Sequence, residues 1–351
     1  MIDVGLIGFG LAGRNFHAPV IRAVPGLKLA AILQRTGEEA ARIYPDARVV
    51  RTLEELLSID SIQLIVIATP NQTHFPLAVQ CLEAGRDVVV DKPFTTNVSE
   101  AVELLNLAKS LGRVLSVYHN RRFDADFQAL RGVVASGELG RVVRFESHYD
   151  RYRPNSKPGA WREKPGPGSG VLFDLGPHLI DHALTVLGTP QFVTADVRIE
   201  REGFSTDDAF DICFEYPAGV RAQLSATMLT IIPRPRFFLA GSKGGFVKNN
   251  FDPLENALRS GAIPQGETWM LEKEEDWGEL TVAENGQLEK WKIPSAGDWR
   301  EFYANVREAI LGEAPLLVRP QEILNVMVAI ELAGESNQTR RTITWRNHSL
   351  M

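Results

Sequence analysis

Apolar residues arrive in two rhythms along the first third of the chain. Short runs, rich in valine, isoleucine and leucine, occur at Val4–Ile7, Leu27–Leu33, Leu64–Ala68, Val88–Val90 and Val114–Val117. Runs of this kind predict strands buried on both faces, the habit of parallel sheets. Between them, apolar positions recur at helical spacing near Asn15–Val24, Leu53–Leu57, Phe75–Ala84 and Ser99–Ser110. Ser99, followed by Val102 and Glu103, predicts a helix start, and Gly85 and Gly112 stand where helices should stop. Strand–helix alternation of this kind predicts an α/β fold with a doubly wound parallel sheet.

The texture changes after Asn120. Asp126–Ala135 reads as a helix and Val142–Tyr149 as a strand, and Arg153–Gly170 is a loop dense in proline and glycine. A loop of that length is often a functional lid. Asp174–Leu187 reads as one helix, and strand-like runs follow at Gln191–Ile199, Phe210–Phe214, Val220–Thr227 and Phe237–Ala240. Tyr216–Gly219 is a hairpin connection between two of them. Trp299–Leu311 and Gln321–Ala333 read as late helices, whereas Lys243–Glu284 gives no clear pattern. The expected division is residues 1–120 as one domain and 121–351 as a second, α+β domain with a large, mostly antiparallel open sheet. A late helix is allowed to pack back on the first domain.

Length agrees with that division, since 351 residues exceed one ordinary core. The charge of −6 and the lack of a basic patch argue against nucleic acid as a partner. No apolar run approaches the roughly 20 residues of a membrane span, and Met1 leads directly into a strand without a leader pattern. Cys81 and Cys213 lie far apart, which predicts neither a disulfide framework nor a zinc site; Cys81 reads as a small core residue. A soluble cytoplasmic protein is the expectation.

Two stretches carry chemistry. Gly8-Phe9-Gly10-Leu11-Ala12-Gly13 follows the first strand and opens a helix. In that context the glycines serve a tight turn, a close approach to a pyrophosphate and tight helix–strand packing. The helix N-terminus adds N–H donors and partial positive charge. The second strand ends in Gln34-Arg35-Thr36 without the acid that would hold both ribose hydroxyls. Arg35 could stack on adenine or pair with a 2′-phosphate, and Thr36 could donate to that phosphate, so NADP is expected over NAD, with NAD possible. Thr69, Pro70 and Asn71, after the Leu64 strand, should border the ribose or nicotinamide. For His74, cofactor contact and helix capping stay open. The Val88–Val90 strand ends in Asp91-Lys92-Pro93, which aims an ammonium at whatever binds the sheet's carboxyl edge.

The second stretch is Asp174-Leu175-Gly176-Pro177-His178 with His182 beyond. Asp174 and His178 are four apart, so one helix would put carboxylate and imidazole on one face, with the imidazole pKa raised. Pro177 is tolerated only near a helix start, which loosens that register. His178, His182 and Asp174 could also bind a metal, but no fourth ligand is evident; a packed His182 is the favoured reading and no metal is expected.

Together these residues resemble the Gfo/Idh/MocA family of NAD(P)-dependent oxidoreductases over essentially the whole chain. The resemblance implies an N-terminal Rossmann domain and a C-terminal α+β domain whose open sheet forms a dimer or tetramer interface. It implies a cis Lys92–Pro93 peptide, Asp91 in place of the usual glutamate beside the cofactor, and Lys92, Asp174 and His178 as the catalytic trio. Ser116–Arg122, Tyr152-Arg153-Pro154 and Trp161-Arg162-Glu163 resemble the branch that contains an NADP-dependent scyllo-inositol dehydrogenase. Asn120, Arg153, Trp161 and Arg162 are then candidate substrate or nicotinamide contacts. Arg121 and Arg122 read equally as a solvated helix start or as internal salt bridges. The expected reaction is hydride transfer between NADP and a secondary alcohol or ketone of a cyclic polyol or sugar. The alternative is a non-catalytic NAD(P)-sensing protein, which need not keep the trio.

Overall fold

The computed structural model describes residues 1–156, 163–266, 269, 271–348 and 350. Its first sheet has six parallel strands: β1 (Ile2–Ile7), β2 (Leu27–Leu33), β3 (Arg48–Val50), β4 (Ile62–Ile67), β5 (Asp87–Val90) and β6 (Leu115–Val117). The spatial order is β3-β2-β1-β4-β5-β6. Winding reverses between β1 and β4, and such a reversal opens a crevice at the carboxyl ends of the strands. The central runs are apolar because both faces are covered; Val4, Leu6, Leu64–Ile67 and Val88–Val90 are all fully buried.

A helical turn, Gly13–His17, leads into α1 (Ala18–Ala23). Short helices α2 (Glu39–Ile43) and α3 (Leu53–Leu57) follow, then α4 (His74–Glu83) and α5 (Val98–Leu111). The start of α5 differs from expectation: Asn97, not Ser99, caps it by accepting the Glu100 N–H. Gly112 ends it in the left-handed conformation, with φ of 62°.

The second unit holds α6 (Ala125–Ser136), α7 (Gly170–Asp174), α8 (Gly176–Leu187), α9 (Leu254–Arg259), α10 (Arg300–Leu311) and α11 (Pro320–Thr339). Its sheet runs β14-β13-β12-β11-β7-β10-β9-β8-β15. These are β7 (Val142–Asp150), β8 (Phe192–Arg198), β9 (Ala209–Glu215), β10 (Arg221–Thr227), β11 (Phe237–Gly241), β12 (Gly244–Lys248), β13 (Gly278–Glu284), β14 (Gln287–Ile293) and β15 (Ile343–Thr344). Only β7 and β10 pair in parallel, so the sheet is mostly antiparallel, as the clustered strands predicted.

The expected single helix over 174–187 is two. α7 stops at Asp174, Leu175 breaks the path and α8 restarts at Gly176 with Pro177 in its first turn. Proline lacks the N–H and clashes with the preceding turn, so only a new helix start accommodates it. Late in the chain, α11 packs on β8 and also reaches α5 and β6, while α10 rests on α1. Tyr118, just after β6, stacks edge-on with Phe302 of α10 at 4.9 Å. The two units therefore close around one crevice. No helix among the described residues is long and apolar enough to cross a membrane.

Candidate active site

The crevice is a cavity of about 1280 Å³ that runs from the glycine turn to α8. Each glycine of the turn meets a different steric demand. Gly8 takes φ of +97°, and a Cβ there would stand 2.6 Å from the Ala68 carbonyl oxygen. A Cβ on Gly13 would stand 2.0 Å from the Gly8 carbonyl oxygen. A Cβ on Gly10 would meet nothing within 4 Å, so this backbone is open on the cavity side and free for a phosphate to approach. Gly8, Phe9, Gly10, Leu11 and Ala12 line the cavity; Gly13 instead packs the helix on the strand.

Arg35 and Thr36 line the far end, exposed, as the sequence suggested. Arg51 beside them escaped notice, because a lone arginine after a three-residue strand carries no periodic signal. It donates to the Gln34 and Gly37 carbonyl oxygens, both at 2.8 Å, and to Glu38 Oε1 at 2.6 Å, bracing the loop that carries Arg35. Arg35 and Thr36 thus stand where the ribose end of a dinucleotide would lie.

Thr69 and Pro70 border the cavity, but two neighbours do not. Asn71 is buried and donates to the Gly168 carbonyl oxygen at 2.6 Å, so its amide is committed to tying the β4–α4 loop to the segment before α7. His74 is fully buried, with its ring nitrogens 2.8 Å from the Pro93 carbonyl oxygen and 2.9 Å from that of Thr69. Burial pushes its pKa down, against the pull of Asp91 and those carbonyls. Both residues fasten the loops that bound the site and neither lines the cavity, where Asn71 was expected at the ribose or nicotinamide and His74 was left open between cofactor contact and helix capping. Trp161 and Arg162 lie outside the described residues.

At the centre, Lys92 follows β5, and its peptide to Pro93 is cis. Lys92 Nζ donates to the Asp174 carbonyl oxygen at 2.6 Å and to Asp174 Oδ1 at 3.0 Å. Residues from the two units are thereby joined across the crevice. Asp91 accepts the Lys92 N–H at 2.8 Å. Burial raises its carboxyl pKa, but the His17 imidazole 3.8 Å away and the charges of Lys92 and His74 outweigh it and hold it at about 2. Asp91 is thus a firmly ionised wall of the cavity.

His178 lines the same cavity, and its Nδ1 is buried without a hydrogen-bond partner among the described residues. Its pKa lies well below the ordinary imidazole range, first through burial and then through the charges of Lys92, Arg121, His182 and His119. The expectation of an acid-raised imidazole is therefore reversed. The break at Leu175 removes the one-helix face assumed for the pair, and burial beside cations favours the neutral ring.

His182 is packed, stacked on Phe127 at 4.1 Å, with a ring nitrogen 3.2 Å from the Arg121 carbonyl oxygen. Arg121 and Arg122 form internal salt bridges: Arg121 with Asp124 and Glu255, Arg122 with Asp181 and Glu322. Asn120 and Arg153 line the cavity. Further lining groups went unnoticed in the sequence. Glu255 and Arg259 sit on α9, inside the stretch that gave no pattern, and Arg151 and Asp207 sit at strand ends.

Residues 2–119 match the profile described as "Oxidoreductase family, NAD-binding Rossmann fold", and residues 127–247 match the GFO/IDH/MocA C-terminal domain. An uncharacterized oxidoreductase of Escherichia coli, YdgJ, is 44% identical, with 97% of this chain and 98% of that one covered. The scyllo-inositol 2-dehydrogenase (NADP(+)) IolW of Bacillus subtilis is 36% identical over 97% of this chain and 95% of its own. A solved oxidoreductase structure from Bacillus subtilis, yvaA, superposes with a TM-score of 0.95 at 36% identity, covering 98% of both chains.

Proposed function

The chain belongs to the Gfo/Idh/MocA family of oxidoreductases, and from that premise we propose that it transfers a hydride between NADP and a secondary alcohol or ketone of a cyclic polyol or sugar. The observation that carries this reading is the meeting of Lys92, Asp174 and His178 in a cavity continuous with the glycine turn.

When bound, the nicotinamide supplies the hydride acceptor or donor. Gly8–Ala12 and the first helix turn would hold the pyrophosphate, while Arg35 and Thr36, braced by Arg51, would hold the ribose phosphate. Lys92, oriented by two bonds to Asp174, donates a hydrogen bond to the reacting substrate oxygen and stabilises negative charge as it develops there. His178, kept neutral by burial and neighbouring cations, accepts the hydroxyl proton in oxidation and returns it in reduction. The ammonium and the imidazole thus have opposite tasks, one electrostatic and one a proton transfer.

IolW gives this reading a precedent in an NADP-dependent enzyme acting on an inositol. The homo-oligomer belongs with the second sheet in the same proposal, and mass measurement in solution tests it. The main test mixes the protein with NADP and a panel of inositols, glucose and other aldoses while NADPH absorbance is followed. Turnover with kcat/KM higher for NADP than for NAD is expected. A clear NAD preference overturns the cofactor assignment; silence across the panel despite tight NADPH binding overturns the polyol reading in favour of a sensor.

A further inference from the structure

We propose that Asp207 is a substrate-binding residue of this cavity, accepting a hydrogen bond from a second hydroxyl of the polyol. The inference deepens the polyol reading and rests on it. Asp207 lies in the connection from β8 to β9 and lines the cavity. Its carboxylate is held in place from behind. Oδ2 accepts the Leu172 N–H at 2.7 Å, and the residue's own carbonyl oxygen accepts the Val171 N–H at 2.9 Å. Residue 170 must be glycine for this arrangement, because a Cβ there would stand 1.9 Å from Asp207 Oδ1. Among the described residues no hydrogen bond of good geometry reaches Oδ1, while the N–H groups of Val171 and of Asp207 itself lie near enough to the carboxylate to oppose the rise in pKa that burial causes.

The neighbouring carboxylate is the contrast. Asp208 is fully buried and spends both oxygens, one on the Glu200 N–H and the other on the N–H and Nε of Arg201. It is a structural tie, whereas Asp207 keeps one oxygen in reserve at a cavity wall.

The position relative to the chemistry fits a polyol. Asp207 grips the first turn of α7, and the last residue of α7 is Asp174, on Lys92. Four residue steps of helix separate the two ends, about 6 Å along the axis. That is about the width of a six-membered ring, so a sugar or inositol with one oxygen at Lys92 presents another toward Asp207. A carboxylate acts only as an acceptor, so it selects a hydroxyl there over a ketone or ether oxygen.

The test is a cycle of enzyme and substrate changes. Wild type, Asp207→Asn and Asp207→Ala are assayed with the best-oxidised polyol of the panel above and with each of its monodeoxy derivatives. The asparagine keeps an oxygen for the Leu172 N–H and loses the charge. Expected is a KM about tenfold higher or more for the parent polyol, with kcat changed far less and NADPH affinity unchanged. For one monodeoxy derivative, wild type and variants should have equal KM. An equal loss on every derivative, or an unchanged KM for the parent, overturns the assignment. General damage to the fold lowers all substrates alike, so it cannot imitate the expected result. Failure of the polyol reading itself is seen earlier, as a wild-type enzyme silent on the whole panel.

Discussion

Replacing Gly10 and Gly13 by alanine, one at a time, should separate cofactor binding from folding within a single six-residue turn. The two positions look equivalent in sequence, yet the space around them differs completely. An alanine methyl at residue 13 would sit 2.0 Å from the Gly8 carbonyl oxygen, a backbone atom that cannot swing aside. Reaching ordinary contact at 3.4 Å would require the helix and strand to part by more than an ångström, and overpacking of this kind costs about 1–3 kcal/mol. At residue 10 the methyl meets nothing within 4 Å. The fold should then be as stable as wild type, or up to about 1 kcal/mol more stable, since alanine narrows the unfolded ensemble. Gly10 lines the cavity, so a methyl there is expected to stand in the way of a pyrophosphate reaching the turn's N–H groups. Losing one hydrogen bond to a charged group costs about 1.5–3 kcal/mol, or roughly ten- to a hundredfold in affinity. Thermal unfolding and a fluorescence titration with NADPH read the two effects separately. If Gly10→Ala binds NADPH within twofold of wild type, or if Gly13→Ala melts as wild type does, the division of roles is wrong.

Three further outcomes follow from the site. Lys92→Ala should lower kcat about a hundred- to a thousandfold, the usual loss when one donor to a developing oxyanion is removed, with NADPH affinity nearly intact by titration. Asn71→Ala should cost about 1 kcal/mol in denaturant unfolding through the lost Gly168 bond but leave NADPH affinity within twofold. Acid should weaken the enzyme twice over. His74, His119, His148, His178 and His182 all have folded pKa values below the ordinary 6.5, burial being the leading cause in each. Below that pH the unfolded chain binds more protons than the folded one, so stability falls as pH falls. The acid limb of kcat/KM for alcohol oxidation should likewise lie well below pH 6.5, because His178 must be neutral to take a proton. A limb above 6.5 in the pH–rate profile contradicts the low His178 pKa.

The elements easiest to read in the sequence are those whose burial is two-sided. β2 was predicted at its observed bounds, Leu27–Leu33, because apart from Lys28 it is apolar and its last three residues, Ala31, Ile32 and Leu33, are buried in succession on both faces. The glycine turn was equally legible, since only glycine fits Gly8 and Gly13. β12 begins with two glycines, and β14, QLEKWKI, is almost wholly exposed. Neither has an apolar face to announce it, and both were missed. α9 fell in the same stretch, and with it Glu255 and Arg259.

Residue types and local spacing determined that this chain has a dinucleotide turn, a lysine at a sheet edge, and an aspartate and a histidine near one helix start. Those features are local, fixed by backbone sterics and periodic burial. Tertiary structure decided what each polar group faces. It moved Asp174 onto Lys92 across the crevice, turned Asn71 and His74 into fasteners, and kept His178 neutral through burial and neighbouring cations. Such outcomes depend on which distant segments close around a group and how much water they exclude. Charge states and hydrogen-bond partners are set by that enclosure, and spacing along the chain carries no record of it.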